Sequence, residues 1–286
     1  MTLNLKLLVA RAVLCAVVIT GIAIAAPATK SAAPSKPPAQ LLSEARSELT
    51  ASHAYKADAL LQQVIKSETA QRAEVEEALV LQGMIYYGDV FASTLLLPSL
   101  VAVAKKPEPF GRKVSERMIL AGRAFHASVT KYLNITAGGG KLANVKLSLP
   151  DFTEADVKKL QDTLSNRASV ESLLASYPTD PSAGEGLYSR ASQFGMYLGF
   201  GGTLPKQKGR KLAGIESKYS GGVQFDNLRY LDWAASVSLD MSKQVKDTLP
   251  QFSLKDLSKR CNERLLKVAP KDSQFAKNAK ARLEKK

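Results

Sequence analysis

The chain alternates between apolar runs at helical spacing and short breaks rich in proline, glycine and polar residues. Apolar positions recur three and four apart over residues 41–49, 57–65, 75–86, 118–133, 157–164, 187–200, 228–245 and 254–268. A stripe of that period follows one side of a helix, so each run predicts an amphipathic helix facing a core. Pro98, Pro107, Pro109, Pro150, Pro178, Pro181, Pro205, Pro250 and Pro270 fall between the runs, where proline's missing N–H interrupts no helical ladder. Ser182-x-x-Glu185 reads as a capping box, with Thr153-x-x-Asp156 and Ser253-x-x-Asp256 as weaker forms of it. Strand signal is confined to residues 143–149, which read as an extended loop or a short hairpin arm. The expected fold class is all-α.

Small residues sit at the centres of several of these runs. They are Ala45 in Leu41-x-x-x-Ala45, Gly83 in Leu79-x-x-x-Gly83-x-x-Tyr86 and Gly122 in Met118-x-x-x-Gly122-x-x-Phe125. Gly195 in Ala191-x-x-x-Gly195-x-x-Leu198 and Ala234 in Tyr230-x-x-x-Ala234-x-x-Val237 follow. Successive offsets are 38, 39, 73 and 39, one of them close to double the others. A small residue lets a partner helix approach, so these five are candidate helix-packing positions. Glycine inside a helix costs up to ~1 kcal/mol against alanine, which argues that close contacts hold it there.

These residues resemble tetratricopeptide-type helical hairpins, best over residues 40–133. The fullest unit joins Leu41 and Ala45 to Tyr55-x-Ala57-x-x-Leu60-Leu61 on the next helix. Later units match in their first helices only, and the spacing exceeds that family's repeat of about 34 residues. The resemblance implies an array of antiparallel helical hairpins, a degenerate α-solenoid with a concave face for a peptide or protein partner. An irregular all-α domain is the competing architecture. The texture of Gly186-Leu-Tyr-Ser-Arg-Ala191, Gly201-Gly202 and Gly221-Gly222 is also similar to the periplasmic helical subunits associated with TRAP transporters. Those are usually lipid-anchored.

The first residues are of a different kind. Residues 1–11 carry Lys6 and Arg11 and no acid, residues 12–25 are an uninterrupted apolar run, and residues 29–38 are Pro, Ser, Ala, Thr and Lys. This order describes a secretory signal peptide. Ala23-Ile24-Ala25 and Ala26-Pro27-Ala28 both fit the Ala-x-Ala exit, which places cleavage near Ala25 or Ala28. A retained anchor is the other reading, but a spanning helix needs about 20 apolar residues, and this run has 14. Cys15 follows Leu14 inside the run, so no lipid-attachment cysteine ends it. The expected organisation is a signal peptide over 1–25, a linker rich in Pro, Ala, Ser and Lys over 26–39, and a helical domain over 40–286. A subdivision of that domain falls near 138–150. The expected location is the periplasm or the exterior.

Charge then sharpens the choice of partners. The formal net charge is +14, and loss of residues 1–25 removes only Lys6 and Arg11, leaving +12. Residues 255–286 hold 11 basic and four acidic residues, a net of +7. Lys206, Lys208, Arg210 and Lys211 form a second cluster in a break flanked by Gly and Pro. Together with Lys259, Arg260, Arg264 and Lys267 they make a candidate basic interaction patch for a protein partner or an anionic envelope surface. A solvated helix face is the plainer alternative. Nucleic acid is disfavoured, because export removes the chain from that pool and no aromatic-interleaved platform accompanies the charge.

Catalytic chemistry is scarcely legible. His53 and His126 lie in no metal-ligand spacing, and with Cys261 as the only cysteine after the leader neither a metal site nor an intramolecular disulfide is expected. Cys261 reads as a small buried apolar residue, with intermolecular pairing as the other reading. Gly138-Gly139-Gly140-Lys141 lacks the remaining residues of a phosphate loop, and Gly199-x-Gly201-Gly202 lacks the third glycine of a dinucleotide fingerprint. Ser128-x-x-Lys131 has no companion motifs. Trp233, Tyr230 and Leu231 share one helix and read as core. The expectation is a non-catalytic protein-binding or scaffolding module of the envelope, without cofactor. The competing classes are a TRAP-associated subunit and an enzyme with an unrecognised site.

Overall fold

The structure, a computed structural model, describes residues 36–51, 53–103, 108–138, 145–147, 223–243, 245 and 253–284, with single positions 155, 158, 162, 166 and 168. The expected runs at 157–164 and 187–200, Gly195, and the cluster Lys206, Lys208, Arg210 and Lys211 lie wholly or mostly outside the described residues.

The fold is helical, with seven helices among the described residues. The first, α1 (Pro38–Thr50), starts with proline at its first position, where a fixed φ suits the helix and the absent N–H has no intrahelical acceptor. It buries Leu41, Leu42, Ala45 and Leu49, and α2 (Ala54–Lys66) buries Ala54, Ala57, Leu61 and Val64. Both sets follow the period of three and four that the sequence shows. These two helices pack on each other.

Two long helices follow, α3 (Arg72–Val103) and α4 (Glu108–Ala137). Their 32 and 30 residues correspond to about 48 and 45 Å at 1.5 Å per residue. The helical backbone of α3 continues through Pro98, which the sequence reading places in a break. Pro109 is the second residue of α4, where proline is tolerated. From Ala78 to Ile85 every residue of α3 is buried, because α1, α2, α4 and α5 all contact it. An element covered on every side loses its amphipathic period, which is why 75–86 understates the helix.

After α4, β1 (Val145–Leu147) pairs antiparallel with β2 (Val223–Phe225), in the register Val145↔Phe225, Lys146↔Gln224 and Leu147↔Val223. The extended segment at 143–149 therefore contains a strand whose partner lies far along the chain, not across a hairpin. This pairing brings the chain back beside α4 for α5 (Asn227–Met241). The Asp226 carboxylate accepts from the Arg229 N–H at 2.7 Å and opens that helix. Ser253 opens α6 (Leu254–Val268) in the same way, accepting from the Asp256 N–H at 3.1 Å. The last helix, α7 (Gln274–Glu284), was not anticipated by any apolar run, since only Ala276 and Ala279 are buried on it. Helices α5 and α6 pack together, α7 packs on both, and α6 also meets α4.

Candidate functional site

Gly83 of α3 and Gly122 of α4 receive one and the same segment. A Cβ on Gly83 in α3 would lie 2.6 Å from Tyr230 Oη, and one on Gly122 in α4 would lie 3.0 Å from Val245 Cγ1. Their partner is α5 and the residues just after it, more than a hundred positions downstream. Ala45 in α1 and Ala234 in α5 are fully buried. Around the Gly83 seat, Tyr230 contacts Tyr132 edge-on with centroids 4.7 Å apart, and Trp233 packs against Tyr87 and Phe125 at 5.5 and 5.8 Å. Tyr230, Leu231 and Trp233 are all buried.

This seat holds two phenols in an apolar setting. Among the described residues neither Tyr132 Oη nor Tyr230 Oη has a hydrogen-bond partner. Burial pushes both phenols well above their ordinary range, Tyr132 further through the nearby Glu76 carboxylate. Cys261 lies fully buried on α6, and burial pushes its thiol up to about 12. Burial thus favours the neutral forms of both phenols and of the thiol. A thiol reagent should therefore modify Cys261 orders of magnitude more slowly in the native protein than in denaturant, as read from the mass of its peptide. The linkage sign is equally definite. A thiol with its folded pKa raised above the ordinary value of about 8.5 keeps its contribution below that pH and loses it as pH climbs toward 12. Stability should fall above about pH 9, and a Cys261→Ala variant should flatten the start of that fall.

A second polar cluster ties α2, α3 and α4 together. Asp89, buried on α3, accepts from Arg117 Nη2 of α4 at 2.7 Å, and Arg117 also donates to the Tyr55 hydroxyl of α2. The guanidinium lies over the Tyr55 ring, 5.0 Å from its centroid. Nearby, Asp58 accepts from Gln82 at 2.7 Å, from the Tyr86 hydroxyl at 2.9 Å and from Gln62 at 2.9 Å. Burial first, and then the Asp58 charge, hold the Tyr86 phenol protonated well above its usual range. Both carboxylates are thus engaged as acceptors between helices. Two further ion pairs act similarly: Arg46 with Glu77 joins α1 to α3, and Arg282 with Asp232 joins α7 to α5.

Other residues singled out from the sequence are also engaged. Ser128 is buried and donates to the Leu79 carbonyl at 2.8 Å, so it serves the α3–α4 contact. His53 meets Glu48 at 2.7 Å beside the break between α1 and α2. Among the described residues no group of three His, Cys, Asp or Glu could hold a metal ion, and no helix is long and apolar enough to cross a membrane.

Of the basic patch, the described members lie on α6 and are not equivalent. Arg264 donates to the Thr136 carbonyl near the end of α4 and so cross-links two helices. Lys259 is exposed and lies 3.8 Å from Glu263. Arg260 is half-buried and Lys267 exposed, and neither has an ion-pair partner among the described residues. Exposed Lys255, Lys271 and Lys277 share that condition. Sequence reasoning missed Asp89 and Arg117 and took Tyr55 only as part of a helical hairpin; the available signal was a lone acid inside the apolar stretch 78–92. No family model matches the chain, and no curated protein or solved structure matches it significantly.

Proposed function

We propose that the chain is an exported, non-catalytic module that binds or scaffolds other molecules in the periplasm or cell envelope through its basic C-terminal helices. One observation carries this reading. Three ion pairs of the helical body join one helix to another, whereas Lys255, Arg260, Lys267, Lys271 and Lys277 have no ionic partner among the described residues. Charges left in solvent suit recognition by long-range attraction. The consecutive packing of α1 on α2, α3 on α4 and α5 on α6 supports an arrangement of helical hairpins of tetratricopeptide type. The 32-residue α3 and the seating of α5 across both long helices make it a degenerate one.

The test is capture from the envelope fraction of the producing cell by the immobilised protein. Partners retained at low salt and released at high salt are expected, since exposed charges are screened within about 8 Å at physiological ionic strength. A partner whose retention ignores salt, or no partner together with turnover of a compound from a substrate panel, would contradict the reading.

A further inference from the structure

We draw no further inference here: the strongest candidate, the outer stripe of α4 on which Leu120 and Ala127 are exposed, is an apolar surface patch, and nothing among the described residues shows what covers it.

Discussion

Replacing Arg117 by methionine is expected to destabilise the protein by about 3 kcal/mol or more, the usual consequence of stripping a buried charge of its partner. The Asp89 side chain is 4% exposed, so its carboxylate cannot turn to water when the guanidinium 2.7 Å away is removed. Methionine also forfeits the stacking over Tyr55 and the hydrogen bond to its hydroxyl. Asp89→Asn should cost less, because Arg117 is 22% exposed and can be partly solvated. The double variant Asp89→Asn, Arg117→Met should recover about 1–2 kcal/mol of the sum of the single losses, as coupled neighbours do. Denaturant midpoints of the four proteins measure this. Additive losses would mean that the pair does not bridge α3 and α4.

A change of sign is the second large effect. Gly83→Ala should lower stability by about 1–2 kcal/mol, although alanine is the better helix former, because overpacking costs about 1–3 kcal/mol. The new methyl would meet Tyr230 Oη at 2.6 Å, and the buried ring has no room to withdraw. Tyr230→Phe should stabilise by about 1 kcal/mol, since it deletes a buried hydroxyl that has no partner among the described residues. In that background the methyl meets Tyr230's ring carbon at 3.6 Å, an ordinary contact. Gly83→Ala then becomes favourable by up to ~1 kcal/mol through helix propensity. If Gly83→Ala destabilises both backgrounds equally, α5 is not seated on that glycine.

These two sites also mark how far the sequence could be read. Helix α6 runs over the very residues its period predicts, because Ser253 caps it and Pro270 follows closely. Helices α1 and α2 are similarly legible, each keeping one wet side. Helix α3 is not, since burial on all sides removes the contrast that periodicity measures. Helix α7 escapes notice because it buries only alanines between lysines. Gly83 and Gly122 stand out as small residues, yet nothing local says that Tyr230 and Val245 fill the space above them. The Asp89–Arg117–Tyr55 cluster is hidden for the same reason, its members coming from three helices. The exposed cations of α6 were visible, whereas the engagement of Arg264 with Thr136 needed α4 in place.

Hydrogen exchange on the protein, alone and bound to envelope material, tests the central claim most directly. The C-terminal helices are the proposed contact and the polar cluster of α2–α4 is structural. Binding should slow exchange in Leu254–Val268 and Gln274–Glu284 and leave peptides around Tyr55, Asp89 and Arg117 unchanged. Protection centred on α2–α4, with α6 and α7 unaffected, would contradict it.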